Sequence, residues 1–199
     1  MNKIQLFIAA IALSFATLFG MHHPFDDPQS FQRYQHKTQD THYVLGVALD
    51  GRCVELEDRT TWTVPSSVAH VVLQWKKGDP VFITPKTSWF GSGEFCYHMR
   101  NVRIQNSIST KMATCPDRDG PYTKFVKSID RYNRRVVLIN HYRATFTFNI
   151  HPSDLASLDD WEVNDRVFVA TNKEWWYNEP SHRMLLINSE TLTTARARE

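Results

Sequence analysis

The segment Trp75-Lys-Lys-Gly-Asp-Pro-Val-Phe82 recurs 86 residues later as Trp161-Glu-Val-Asn-Asp-Arg-Val-Phe168. In both copies a tryptophan precedes a tight-turn pair, and the turn leads into an apolar, strand-forming dipeptide. Two further identities keep the same offset: Ser67 with Ser153, and Trp89 with Trp175. Rare residue types repeated at one fixed spacing predict an internal duplication.

The duplication divides the chain after its first 40 residues. We predict unit 1 over residues 41–115 and unit 2 over residues 122–199, with the turn-forming residues 116–121 as a linker. A deletion of four residues in unit 2 extends the alignment into the last strands. There it matches Asn106 with Asn188 and Ala113 with Ala195.

Each unit carries the sequence signs of short strands. The stretch Tyr43–Leu49 ends at Asp50-Gly51, which favours a tight hairpin turn, and Cys53–Leu56 returns from that turn. After another β-branched strand, Pro65-Ser66-Ser67 begins a short helix. The predicted fold is mainly β: two tandem repeated small β-barrel-like units, each with one short helix, since barrel closure removes exposed strand edges. The alternative is one continuous sandwich of ten to twelve strands.

The composition excludes several classes of protein. The chain has 199 residues, of which 42% are hydrophobic and 13% aromatic, enough to build a core, so it is not disordered by composition. The net charge of +2 lacks the strong basic excess that nucleic-acid binding requires. We therefore expect no nucleic-acid partner.

The first 20 residues resemble a secretory leader. Lys3 is followed by the apolar run Ile4–Phe19 and by Gly20, which predicts a signal peptide over residues 1–20, cleaved after Ala16 or after Gly20. Residues 21–40 are polar and contain two prolines, which predicts a flexible N-terminal segment. We expect an exported protein, periplasmic or secreted, with no transmembrane segment after signal removal.

Three cysteines, Cys53, Cys96 and Cys115, lie in or at the end of unit 1. In an oxidising compartment an odd number allows one internal disulfide and leaves one thiol, which permits a disulfide-linked dimer. The sequence does not determine which two cysteines pair. Their spacings match no metal-binding pattern, so no metal and no other cofactor is predicted.

Part of this pattern resembles a known group of proteins. Leu56–Val64 carries an acidic turn before W-x-V, Trp75–Val81 carries W-x-x-G-D-x-V, and Arg103–Ser107 ends the unit. Together they resemble uncharacterised exported bacterial proteins with small β-domains. Unit 2 departs from the pattern, with His141-Tyr-Arg143 in place of the acidic turn and Asn164 in place of the glycine. The resemblance implies export and a barrel-like fold, and no activity.

The sequence contains no nucleophile elbow, zinc-protease motif, phosphate loop or dinucleotide fingerprint, so no catalytic residue is predicted. Aromatic residues follow the Val-Phe strand of each unit, and exposed aromatic side chains are frequent binding anchors. Arginines cluster early in unit 2, where they could contact an anionic glycan, a lipid headgroup or a protein. The predicted binding residues are Trp89, Phe90, Trp175, Trp176, Tyr177, Arg131, Arg134 and Arg135.

These observations predict an exported, non-enzymatic binding or interaction protein of the cell envelope, whose partner is a protein or another envelope component. The duplication keeps core tryptophans and loop aromatics, and it keeps no polar catalytic set. Two alternatives stay open. One is an envelope enzyme that acts on a glycan or peptide between the two units, using His98, His182 or paired carboxylates. The other is a structural subunit tethered through a disulfide.

Overall fold

The computed structural model of the chain describes residues 39–86, 96–172 and 181–199. The predicted signal peptide and residues 21–38 lie outside these ranges. Six strands form in the first half: β1 His42–Val47, β2 Cys53–Leu56, β3 Thr61–Thr63, β4 Pro80–Pro85, β5 Tyr97–Asn101 and β6 Asn106–Met112. Six form in the second half: β7 Lys124–Asp130, β8 Arg135–Asn140, β9 Thr145–Ile150, β10 Arg166–Thr171, β11 Met184–Asn188 and β12 Thr194–Arg198.

A short helical segment joins the third and fourth strands of each set. In the first it consists of the 3-10 turn η1 Ser66–Val68 and the single-turn helix α1 Ala69–Val72. In the second it is the 3-10 helix η2 Pro152–Leu158. Within the described residues, none of the helices has the length and apolar character needed to span a membrane.

Each set of strands closes into a barrel. The order β1-β2-β3-β6-β5-β4 closes through pairing of β1 with β4, and β10-β11-β12-β9-β8-β7 closes through pairing of β10 with β7. The prediction of a mainly β fold with two tandem barrel-like units is therefore confirmed. The alternative of a single sandwich is wrong, because each six-stranded sheet closes on itself: the strands at the two ends of the order pair with each other.

The two barrels also share their irregularities. A break in the β1–β2 register between Val44 and Gly46 is matched by a break in the β7–β8 register between Val126 and Ser128. Such bulges bend a strand and increase its twist, and they are regular features of a fold rather than local defects. Equal strand order and equal bulge positions support the duplication independently of residue identity.

The alignment of the last strands needs a correction. Asp79 accepts a hydrogen bond from the side chain of Asn101, and Asp165 accepts one from the side chain of Asn188. Asn188 is therefore the counterpart of Asn101, and the predicted match with Asn106 is wrong. The β4–β5 connection has 11 residues and the β10–β11 connection has 12. Unit 2 thus carries a one-residue insertion where a four-residue deletion was predicted.

The outer face of the second barrel completes the core of the first. Val167 and Val169 on β10 point into their own barrel, whereas Phe168 and Ala170 point outward and pack with the core of the first barrel. The Phe168 ring lies 5.2 Å from the ring of Trp62, which is fully buried in the first barrel. The two barrels therefore share one continuous apolar contact.

The predicted disulfide is absent, because all three cysteines, each among the described residues, are free thiols. Cys115 donates a hydrogen bond to the Ser189 carbonyl of the second barrel, 3.2 Å away. Burial raises the pKa of Cys53 to about 11 and also raises the pKa of Cys115. Since the thiolate is the reactive species, both side chains remain thiols at neutral pH.

Candidate binding surface

The structure describes only part of the predicted binding set. Trp89, Phe90, Trp175, Trp176 and Tyr177 lie outside the described residues. Of the three predicted arginines, Arg131 and Arg134 lie on the turn between β7 and β8, and Arg135 is the first residue of β8. The candidate surface is therefore built from this turn, residues 130–135, which we call the basic tip.

The basic tip projects into solvent. All residues from Arg131 to Arg135 are exposed, and the Tyr132 side chain keeps 94% of its surface accessible. A solvent-exposed tyrosine among arginines presents an apolar ring, a hydroxyl and positive charge at one place. Sequence reasoning missed Tyr132, although the pattern Arg-Tyr-Asn-Arg-Arg in a hairpin turn contained the signal.

Local hydrogen bonds fix the shape of the basic tip. Asp130 accepts from the backbone N–H of Asn133 at 2.9 Å and from its side chain at 2.7 Å. The side-chain hydrogen bond from Asn133 is the main cause that lowers the pKa of Asp130, so this carboxylate stays ionised. At the other side, Arg131 donates to the Leu158 carbonyl and forms an ion pair with Asp159. The tip is thereby anchored to η2.

Arg134 occupies a conformation that ordinarily favours glycine. Its φ is +55°. Its counterpart in the first barrel is Arg52, because the Arg134 carbonyl accepts from the Ile150 N–H as the Arg52 carbonyl accepts from the Val64 N–H. The first barrel has its positive φ one residue earlier, at Gly51 (+69°), where a Cβ would lie 2.3 Å from the Ala69 carbonyl oxygen. Both barrels thus carry an exposed arginine at this position, and only in the second does it have a positive φ. Among the described residues, Arg134 and Arg135 form no ion pair.

A second polar group lies at the seam between the barrels. His42 is 2% exposed, and its ring stacks on Phe168 with the centroids 4.0 Å apart. Its Nδ1 lies 2.8 Å from Glu57 Oε1, and its Nε2 lies 2.8 Å from the Val169 carbonyl oxygen. The Val169 carbonyl can only accept, and the Glu57 carboxyl group also acts as an acceptor, taking the Tyr43 backbone N–H on its other oxygen, so both ring nitrogens donate. The geometry is that of a positively charged imidazolium that joins the two barrels.

The surrounding charges agree with that assignment. Burial alone lowers the pKa of His42, but the charge and hydrogen bond of Glu57 outweigh it, and the pKa is raised. Burial raises the pKa of Asp58 and lowers that of Lys124, whose positive charge opposes protonation of His42. The seam therefore contains two acids and two bases that partly compensate one another. The side chains of His42 and Glu57 bond to each other and are buried.

The His42 contact predicts a pH-dependent stability. A group whose pKa is raised on folding contributes its full stability below its unfolded pKa, 6.5 for this histidine, and loses it as the pH rises through the folded value. We expect the stability difference between the wild type and His42→Gln to shrink as the pH increases from about 5 to about 9. Urea unfolding at several pH values measures this difference. A difference that stays constant with pH would contradict the charged assignment.

Of the two histidines named for the enzyme alternative, His98 lies on β5 and His182 packs against His151. The rings of His182 and His151 lie 4.9 Å apart at nearly right angles. His151 accepts from the Ser153 backbone N–H and caps η2, while Asp154 accepts from the guanidinium of Arg196. These contacts attach the start of η2 to β12.

Comparison with protein-family models, with curated proteins and with solved structures finds no match to the chain. The suspected resemblance to exported proteins with small β-domains therefore stays a prediction. The proposed function therefore depends on the geometry of the basic tip.

Proposed function

We propose that this protein is an exported, non-enzymatic binding protein of the cell envelope that contacts its partner through the basic tip. The observation that carries the proposal is the exposure of Tyr132 beside Arg134 and Arg135, neither of which forms an ion pair among the described residues. Exposed aromatic and arginine side chains are the residue types most enriched at binding hot spots. The tip is anchored to η2, so little conformational entropy is lost when it binds.

The first barrel supports this assignment by contrast. The turn Leu49-Asp50-Gly51-Arg52 is the counterpart of Arg131-Tyr132-Asn133-Arg134. The first barrel keeps the arginine equivalent to Arg134, but it has Asp50 in place of Tyr132 and Cys53 in place of Arg135. We infer that the second barrel carries the aromatic and more strongly basic surface and that the first barrel supports it.

A crosslinking experiment in intact cells tests the proposal. The variant combines Tyr132→Ala, Arg134→Gly and Arg135→Gln, and we expect it to lose the crosslinks to envelope components that the wild type forms. Because Arg134 has a φ of +55°, a glycine fits the backbone of the tip. The chain is recovered with an antibody under non-reducing conditions, which also detects a disulfide-linked dimer.

The matched control removes two exposed lysines of the first barrel, Lys76→Gln and Lys77→Gln. It changes the net charge by the same amount as the variant of the tip, and it should keep the crosslinks. Equal crosslinking by the wild type and the tip variant, with both folded, would refute the proposed surface.

A further inference from the structure

The positive charge of the basic tip continues onto the neighbouring sheet. Arg135 on β8 pairs with Asn149 on β9, and Asn149 pairs in turn with Arg198 on β12. The adjacent residues Val136, Ile150 and Ala197 are buried in the barrel, so the three paired residues share the outer face. Arg198 was not predicted from the sequence, because only the strand pairing places it beside residues 63 positions earlier.

Three acidic side chains lie near this surface. Asp130 accepts hydrogen bonds from Asn133 and keeps its negative charge, Asp159 pairs with Arg131 at 3.4 Å, and Glu199 follows Arg198 in the sequence. The exposed cations Lys127, Arg134, Arg135 and Arg198 form no ion pair among the described residues. The surface therefore carries an excess of positive charge, although the chain as a whole is nearly neutral.

The shape of the surface narrows the class of partner. Tyr132 lies at the end of a projecting turn, and the arginines surround it at the surface. A hot spot in a protein–protein interface is normally surrounded by contacts that exclude water. At a membrane surface, by contrast, tyrosine lies at the depth of the lipid headgroups while arginine and lysine attract anionic lipids. A projecting aromatic side chain with flanking cations fits a flat anionic layer.

We infer that the basic tip binds the surface of an anionic phospholipid bilayer, with Tyr132 among the headgroups and Arg134, Arg135 and Arg198 facing their phosphates. This inference rests on the proposed function, since it names the partner of the same surface. Several weak attractions act together, so binding is reversible and falls as salt screens the charges.

Vesicle sedimentation tests the inference with the purified exported chain. We expect binding to phosphatidylcholine vesicles that contain about one third phosphatidylglycerol, and little binding to phosphatidylcholine alone. Arg134→Gly with Arg135→Gln should weaken binding about 10- to 30-fold, since each arginine near an anionic surface contributes about fivefold. Raising the salt from about 0.1 M to about 0.5 M should release the wild type. The control Lys76→Gln with Lys77→Gln should bind like the wild type.

Two results would overturn the inference: equal binding to neutral and anionic vesicles, or unchanged binding by the arginine variant. A thermal unfolding midpoint close to that of the wild type shows that the variant is folded. If vesicle binding fails while the cellular crosslinks still depend on the basic tip, the partner is a protein or a glycan and the proposed function stands. If the crosslinks are also independent of the tip, both proposals fail.

Discussion

Replacing Phe168 by alanine is expected to lower the free energy of unfolding by about 3 to 5 kcal/mol. The Phe168 ring is 1% exposed and contacts Trp62 and His42 of the first barrel. Its removal leaves a cavity where the two barrels meet and removes the ring on which His42 stacks. The loss should appear as a lower midpoint of urea unfolding with an unchanged denaturant slope.

Phe82 provides the matched control for this substitution. It occupies the same position in β4 that Phe168 occupies in β10, and it also points away from its own barrel, between the buried Val81 and Ile83. Phe82 is only half-buried, so Phe82→Ala should cost less, about 1 to 2 kcal/mol. If the two variants lose equal free energy of unfolding, the contact of Phe168 with the first barrel adds no stability.

The contrast between these two phenylalanines shows how far the sequence predicts the fold. The local signals, a Val-Phe dipeptide after a tight turn, predict a strand in both units, and both strands form. They do not distinguish a phenylalanine that is half-exposed from one that faces another barrel. The two sequences do differ just after the phenylalanine. Val167–Ala170 is continuously apolar, which is typical of a strand buried on both faces, whereas Thr84 interrupts the apolar run in the first unit.

Features that depend on distant residues were not predictable. Asn101 was missed because its partner Asp79 is 22 positions away and the intervening loop differs in length between the units. His42 gave no signal at all, since its contacts, Glu57 and Val169, come from different barrels. By contrast, Arg131, Arg134 and Arg135 are close in the sequence, and a single hairpin keeps them together in the structure.

Replacing Asp79 by alanine is expected to lower the free energy of unfolding by about 2 to 4 kcal/mol. The buried Asp79 carboxylate accepts hydrogen bonds from the Lys76 backbone N–H, from the Asn101 side chain and from the guanidinium of Arg103. Without it, the fully buried Asn101 amide loses its acceptor, and the turn between α1 and β4 loses its connection to β5. Urea unfolding of the purified chain at neutral pH measures the loss.

The pH dependence of this variant has a defined sign. Burial alone would raise the pKa of Asp79, but the hydrogen bonds from Arg103, Lys76 and Asn101 outweigh burial and lower it. A carboxylate whose pKa is lowered on folding stabilises the protein above its unfolded pKa, 3.8 for this residue, and loses that contribution as the pH falls through the folded value. The difference in the free energy of unfolding between the wild type and Asp79→Ala should therefore be largest at neutral pH and should decrease in acid.

Asp165→Ala is the matched control, because Asp165 makes the equivalent bonds to the Glu162 backbone and to Asn188. The position equivalent to Arg103 is Glu190, so Asp165 has no arginine partner in the part of the chain that is described. Asp165→Ala should lower the free energy of unfolding less than Asp79→Ala does, by about 1 to 2 kcal/mol. A hydrogen bond to a charged group contributes about 1.5 to 3 kcal/mol, and solvent screens part of it because the Arg103 side chain is 40% exposed. If the two substitutions lower the free energy of unfolding equally, the hydrogen bonds that both turns share account for the whole effect. The ion pair with Arg103 then contributes no stability.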